Sequence, residues 1–269
     1  MTVVVLAQVS PVPGAVETNI SRATAIVAEN TEAELAVFPE LFVAGYDISA
    51  AAEHAVEPAA VELRPLREAA RQAGTAVLVG LAERRDGKPA NSLLAIDERG
   101  EVAGVHRKTV LWGEESKCFE PGGAMTMIGL AGRRVGLMIC YEIEFPELAR
   151  ALAVAGADLL VTSSANMEPY YEDHELSGRA RALDNRVPHV YVNRVGREAG
   201  LRFAGGTRAI GPDGSLIAAA GEGEEVLIAD LPAAPAPDGS PTDYLRNLPV
   251  KPIVLEGPET LTGPDRRED

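Results

Sequence analysis

GLMICYEIEFPE, residues 136–147, reads as a buried strand that breaks into a turn and then a helix. Arg134 to Ile139 is mainly apolar and partly β-branched, and the run stops at Cys140. Phe145-Pro146-Glu147 then supplies the proline and the acid that a first helical turn favours. A cysteine at such a junction sits on a rigid element beside backbone N–H groups, which can lower a thiol pKa and bind an oxyanion. Cysteine is also among the residue types most often packed in plain apolar cores. This stretch alone therefore leaves Cys140 open as nucleophile or as packing residue.

The chain on either side repeats the alternation of strand and helix. Val3 to Val9 is a continuous apolar run, as in a strand buried on both faces. Residues 15–30 carry Ala15, Ile20, Ala23, Ile26 and Val27 at helical spacing. Leu35 to Phe38 predicts a second strand that runs into Pro39-Glu40. Residues 59–73 predict a helix ended by Gly74, Thr75 to Leu81 a strand, and Arg84 to Lys88 a hairpin-type turn. Ser92 to Ile96 and Val102 to Arg107 follow as strands. Beyond Cys140, residues 147–155 predict an amphipathic helix closed by Gly156, and Asp158 to Thr162 a strand. Residues 175–186 predict a helix that Gly178 weakens, and His189 to Asn193 a strand. Segments 205–210 and 215–220 pair around Gly211-Pro212-Asp213-Gly214, and Val226 to Leu231 is the last strand. The pattern predicts one α/β layered domain over residues 1–231. Residues 232–269, rich in Pro, Ala and acid, predict an extended arm suited to lying on a partner subunit, with a disordered end from about Pro258.

Composition narrows the function classes. A chain of 269 residues, 46% of them hydrophobic, has ample length for a full core. Its net charge of −15 repels nucleic acid and anionic membranes, so neither is expected as a partner. No apolar run reaches the length of a membrane span, and MTVVVLAQVS lacks the basic segment and cleavage site of a signal peptide. Cys118 and Cys140 form no disulfide framework, and His54, His106, His174 and His189 lack metal-ligand spacing. The expectation is a cytoplasmic protein that needs no metal or other cofactor.

Three chemistry-bearing residues follow predicted strands. Glu40 lies between Phe38-Pro39 and Leu41-Phe42-Val43, where a carboxylate needs a partner to be buried. Lys108 opens the long stretch HRKTVLWGEESKCFEPGG, residues 106–123. Such a loop is either a solvated charged surface or, given its length, functional. With Cys140, all three sit at strand C-terminal ends, where open α/β sheets collect ligand sites. A carboxylate in an apolar site suits a base for a thiol. A lysine beside a thiolate lowers the thiol pKa and stabilises an oxyanion. The set makes sense for acyl transfer. A Cys–His pair using His189 or His174 is the rival; His189, in an apolar strand, reads as a packed core histidine and His174 as a solvated loop residue.

The constellation resembles the nitrilase, or carbon–nitrogen hydrolase, superfamily over residues 1–231. The resemblance rests on FPELFVAGY (38–46), HRKTVLWGEESKCFEPG (106–122), ICYEIEFPE (139–147), RARALDN (179–185), YVNRVGRE (191–198) and GPDG (211–214). It implies an α-β-β-α four-layer sandwich that pairs into a homodimer or higher homo-oligomer. It also implies Glu40 as general base, Lys108 as oxyanion-stabilising cation, Cys140 as nucleophile, and Glu115, or after a one-residue slip Glu114, as a second positioning glutamate. The Tyr141 N–H would complete the oxyanion hole, and no cofactor would be needed.

Within that superfamily, ω-amidases typically carry Arg four residues past the cysteine, in a CYDxRFPE motif; here Glu144 stands there. CYEIEFPE with SSANMEPYY (163–171) looks most like amidases of short amides with an amino or guanidino tail, of the 5-aminopentanamide or 4-guanidinobutyramide type. Glu144, Glu168, Glu172 or Asp173 could then face a substrate cation. For Glu144 the other reading is a helix cap or a partner of a structural Arg. Tyr46, Trp112, Tyr141, Asn166 and Tyr170 are the remaining candidate substrate contacts. General aliphatic or R-stereoselective amidase, nitrilase and carbamoyl-amine hydrolase are the alternative activities. A catalytically silent binding module and a redox-sensing thiol protein are the alternatives without catalysis.

Overall fold

The computed structural model describes residues 1–236 and 242–247. Its fourteen strands are β1 (Thr2–Gln8), β2 (Leu35–Val37), β3 (Ala76–Glu83), β4 (Ala90–Ile96), β5 (Val102–Arg107), β6 (Thr126–Leu130), β7 (Arg133–Ile139), β8 (Leu159–Ser164), β9 (His189–Asn193), β10 (Val195–Glu198), β11 (Leu201–Ala204), β12 (Arg208–Ile210), β13 (Leu216–Ala219) and β14 (Glu225–Leu231). The α-helices are α1 (Val16–Glu29), α2 (Arg64–Ala73), α3 (Glu115–Cys118), α4 (Pro146–Val154), α5 (Tyr171–Asn185) and α6 (Tyr244–Asn247).

Two six-stranded sheets form, in the orders β14-β1-β2-β3-β4-β5 and β13-β12-β9-β8-β7-β6. Alternation along each strand sorts the apolar side chains into layers. Val4, Leu6, Leu35, Val37 and Leu78 of the first sheet meet Leu137, Ile139, Val161, Val190 and Val192 of the second. The opposite faces of β1, β2 and β3, carrying Val5, Ala36 and Val77, pack with Ile20, Ala23 and Val27 of α1 and Leu66 and Ala70 of α2. Met138 and Leu160 of the second sheet pack with Ala149 and Leu152 of α4. The layers thus run helix, sheet, sheet, helix, as expected for the four-layer sandwich.

The topology brings the site residues to one edge. β1, β2 and β3 are parallel, and β5 regains their direction through antiparallel β4. The residues after β2 and β5 therefore emerge at the same edge, where β4 begins. In the second sheet β7, β8 and β9 are parallel, so residues 140 and 165 emerge together. The two edges meet: Ser163 Oγ donates to the Phe38 carbonyl (2.8 Å) and the Glu40 N–H to the Ser164 carbonyl (3.3 Å).

Several elements depart from the expectations. β6 and the β10–β11 hairpin have no counterpart among the predicted strands. α3 folds within the long 106–123 segment, and Cys140–Glu144 forms a 3-10 turn before α4. α5 begins at Tyr171 rather than 175, with Glu172 and Asp173 in its first turn, where acids are favoured. His174 is therefore a helix residue, 3% exposed, and not a solvated loop residue. Most of the expected arm, 232–269, and its expected disordered end lie outside the described residues. Within α6, the Tyr244 ring lies under the Arg186 guanidinium, 4.4 Å from its centroid.

Candidate active site

Cys140 ends β7 and opens the 3-10 turn with φ +48°, a left-handed backbone value that costs a non-glycine residue roughly 1–3 kcal/mol. The surroundings hold it there. Arg181 of α5 donates to the carbonyls of Ile143 (2.9 Å) and Glu144 (3.2 Å). Glu142, fully buried, accepts at Oε2 from the Ile139 N–H (2.7 Å) and bonds His106 Nε2 (2.8 Å). Its Oε1 accepts from the Thr109 N–H (2.7 Å) and the Thr109 hydroxyl (2.6 Å). Burial opposes the charge of Glu142, but these bonds, His106 foremost, hold its pKa below the usual carboxylate range. One carboxylate thereby ties the turn after β7 to the segment after β5.

That second segment carries Lys108, which is fully buried. Its Nζ donates to Glu40 Oε1 (2.7 Å) and lies 3.0 and 2.9 Å from the two oxygens of Glu115. Asn91, at the start of β4, donates to Glu40 Oε1 (2.7 Å) and more weakly to Glu115 Oε1 (3.5 Å). Glu40 Oε2 accepts from the Ala165 N–H (2.8 Å). Glu115 also accepts from the Tyr46 hydroxyl (2.8 Å) and the Trp112 N–H (2.9 Å). Of the two adjacent glutamates, Glu115 is the inward one; Glu114 is exposed and pairs with Lys117. Gly80 of β3 makes room for the segment bearing Glu40: a Cβ there would lie 2.4 Å from the Pro39 carbonyl oxygen and 2.7 Å from Glu40 Cα.

The electrostatics follow from this packing. Burial works against the Lys108 charge, but Glu115, Glu40 and Cys140 outweigh it and raise its pKa well above the ordinary lysine value. Two carboxylates around one ammonium leave an excess negative charge beside the nucleophile. Burial and then Glu40 push the Cys140 thiol far up, against the opposing pull of Lys108 and the Ser164 hydroxyl. The resting nucleophile is therefore a neutral thiol with a carboxylate close enough to feel it. Burial, with Glu40 and Glu115 next, likewise raises the Tyr46 phenol.

A cleft opens over Cys140, lined by Tyr46, Trp112, Tyr141, Glu144, Asn166, Met167, Tyr170 and His174. It is narrow and holds only about 250 Å³ of empty space. Trp112 and Tyr170 meet edge-to-face at 5.9 Å and narrow it from one side. Among the described residues Glu144 caps no helix and binds no Arg through its side chain; Oε1 lies 3.2 Å from His174 Nε2. Glu168 lies elsewhere: it pairs with Arg202 (2.8 Å) and lines a separate cleft with Tyr171 and Arg197. Glu172 and Asp173 are exposed on α5 and do not line the Cys140 cleft. His189 is buried between the Thr162 hydroxyl (2.9 Å) and the Gly178 carbonyl (3.0 Å), as a packed histidine would be. Cys118, on α3, packs against the apolar cluster around Phe119 and Phe203.

Asn91, Glu142, His106, Arg181, Ser164 and Tyr191 join the site without having been singled out in the sequence. His106 and Glu142 stand inside quoted motifs, but nothing in either motif says that one meets the other.

Residues 4–236 match the carbon-nitrogen hydrolase family. An (R)-stereoselective amidase from Pseudomonas sp. is 38% identical over 255 residues, 93% of this chain and 91% of that protein. An omega-amidase of Danio rerio is 31% identical over 227 residues, 79% of this chain and 82% of its own length. Among solved structures, a mutant of the amidase from Nesterenkonia sp. AN1 superposes with TM-score 0.81 at 30% identity, covering 91% of this chain and 93% of that one. That structure shows covalent addition of the acetamide moiety of fluoroacetamide at the active-site cysteine. Another mutant of the same amidase, in complex with butyramide, superposes with TM-score 0.80 at 29% identity, over 91% of this chain and 93% of that one.

Proposed function

The chain belongs to the carbon–nitrogen hydrolase family, and on that premise we propose that it hydrolyses a small aliphatic amide through a thioester on Cys140, with Glu40 as base and acid. The observation that carries the reading is the closed set of Glu40, Lys108 and Glu115 around one buried thiol. The Cys140 sulfur attacks the amide carbon while its proton passes to Glu40. The carbonyl oxygen becomes an oxyanion against Lys108 and the Tyr141 N–H. Glu40 returns the proton to the amide nitrogen, the C–N bond breaks, and ammonia leaves. Water then gives a proton to Glu40 as its oxygen attacks the thioester. The carboxylic acid forms, and the proton returns to the sulfur. Glu115 and Asn91 act by positioning Lys108 and Glu40.

For the substrate tail, the reading is an amino or guanidino group at Glu144. Glu144 is the one carboxylate among the residues that line the cleft. The narrow cleft beside the Trp112–Tyr170 contact favours a slender linear chain. Tyr46, Tyr141, Asn166 and Tyr170 serve as its walls. Glu168, Glu172 and Asp173 have no part in this reading. The test is ammonia release from 5-aminopentanamide, 4-guanidinobutyramide, pentanamide and a small nitrile. Faster turnover of the two cationic amides is the expected result; equal or faster turnover of pentanamide would remove the tail preference.

An R-stereoselective amidase is the second reading, favoured by the 38% identity to a protein of that name. Turnover of paired R and S amino-acid amides separates the two. We further read the chain as a cytoplasmic homodimer or higher homo-oligomer. Leu176 and Leu183 of α5 and Val154 of α4 are exposed on the outer helical layer, as a pairing face would require. Light scattering on the purified chain tests this, and a monomeric mass would overturn it.

A further inference from the structure

The cleft contains a histidine that the proposed reaction does not use. His174 is buried at its wall, and its two ring nitrogens face different parts of the site. Nδ1 lies 2.9 Å from the Tyr191 hydroxyl and Nε2 lies 3.2 Å from Glu144 Oε1. The Tyr191 hydroxyl in turn donates to Ser164 Oγ (3.2 Å), which also accepts from the Asn166 N–H (3.2 Å). Ser164 is close enough to Cys140 that its hydroxyl opposes the rise of the thiol pKa.

With the Tyr191 hydroxyl as donor to Ser164, donor and acceptor accounting places the remaining protons. Tyr191 has one proton and spends it on Ser164, so its oxygen accepts from His174. Nδ1 therefore carries a hydrogen. On the other side, a bond between Nε2 and Glu144 needs one more proton, on the ring or on the carboxyl. With it the pair is neutral. Without it a nitrogen lone pair faces an uncompensated carboxylate.

From this we infer that His174 sets the charge at the tail end of the cleft: the proton it shares with Glu144 masks that carboxylate, and a cationic substrate tail binds by displacing the proton. The inference rests on the reading of Glu144 as the tail contact. Other charged groups nearby are engaged elsewhere. Arg208 of β12, 5.9 Å from the centre of the Tyr191 ring, pairs with Glu175 of α5 (3.3 Å). Arg181 reaches the Glu144 carbonyl, not its carboxylate. Asp173 of α5 is exposed. Among the described residues, His174 is the only basic partner recorded for the Glu144 carboxylate.

Proton and cationic tail then compete for one site. Affinity for a cationic tail rises by up to about tenfold per pH unit over the range in which the pair gives up its proton, then levels off. A neutral tail carries no such dependence. The experiment is the ratio of kcat/KM for 4-guanidinobutyramide over pentanamide, from about pH 5.5 to 9, a range in which a guanidinium stays charged. Ionisations of Cys140 and Glu40 cancel in that ratio. The wild-type ratio should climb at least about fivefold and plateau. His174→Gln, which keeps a donor and an acceptor but cannot titrate, should give a flat ratio, and Glu144→Gln a flat and low one. A wild-type ratio independent of pH overturns the inference without any variant. So does a climb that persists unchanged in His174→Gln. If the wild-type ratio is flat while Glu144→Gln still lowers it, only the role of His174 falls. If Glu144→Gln changes nothing, the tail contact falls with it. If no amide is turned over, the amidase reading falls as well.

Discussion

Glu142→Ala tests the mechanical core of the site. The carboxylate is fully buried and accepts from two backbone N–H groups, those of Ile139 and Thr109, as well as from the Thr109 hydroxyl. Alanine leaves both N–H groups without an acceptor. At about 2 kcal/mol for each buried orphan donor, the loss is about 4 kcal/mol. For a domain of this size that lowers Tm by about 8–16 °C. Glu142→Gln keeps one acceptor oxygen and should lose about half as much. Thr109 adjoins Lys108 and Ile139 adjoins Cys140, so a shift of about 1 Å in their separation lowers kcat by about 100-fold. Calorimetry and ammonia release on the same preparations measure both effects. A Tm within about 2 °C of wild type, as for an inconsequential surface change, together with normal turnover, would refute this account of what fixes Cys140 against Lys108.

Three further outcomes follow from the packing. Gly80→Ala places a methyl group 2.4 Å from the Pro39 oxygen and must displace Glu40; kcat should fall by about 100-fold, whereas wild-type turnover would mean that the approach of β3 to Glu40 is not needed. Tyr46→Phe removes the 2.8 Å bond to Glu115 and should lower kcat/KM about tenfold in steady-state assays. Burial, with Arg181 and Arg208 adding to it and a bond to the Gly178 carbonyl opposing, holds the His189 pKa down to about 4. The folded pKa lies below the unfolded one, so stability is full above about pH 6.5 and falls by about 3 kcal/mol as pH drops to about 4. Denaturant titrations should show that slope in wild type and a flatter one in His189→Gln.

Much of this was legible because strand ends carry the chemistry. Glu40 and Cys140 each follow an apolar run whose length and flanks mark a strand, Lys108 follows the shorter mixed strand VAGVHR, and strands of like direction deliver their ends to one edge. β6 was not legible: Thr126–Leu130 alternates half-buried and exposed positions, and Met127 faces outward. The choice between Glu114 and Glu115 needed α3, a single turn that turns Glu115 inward and leaves Glu114 on the surface. Glu168 looked like a cleft residue beside Asn166 and Tyr170, but its cation is Arg202, on a hairpin that the sequence reading did not contain. His174 was misread because its neighbours Glu172, Asp173 and Glu175 are all charged; its burial comes from the α5 face that also carries Gly178, Arg181, Ala182 and Asn185. Glu142 is the clearest limit. Its partners are Ile139, three residues away, and His106 and Thr109, on a strand end of the other sheet, and only the fold brings them together.

The most direct test of the central claim is the intact mass of the enzyme, acid-quenched during turnover of pentanamide, with the adduct mapped by peptide mass. The account predicts a transient gain of one pentanoyl group on the peptide bearing Cys140, absent in Cys140→Ala, which should also release no ammonia. An adduct on Cys118 instead, or ammonia release that survives in Cys140→Ala, would contradict it.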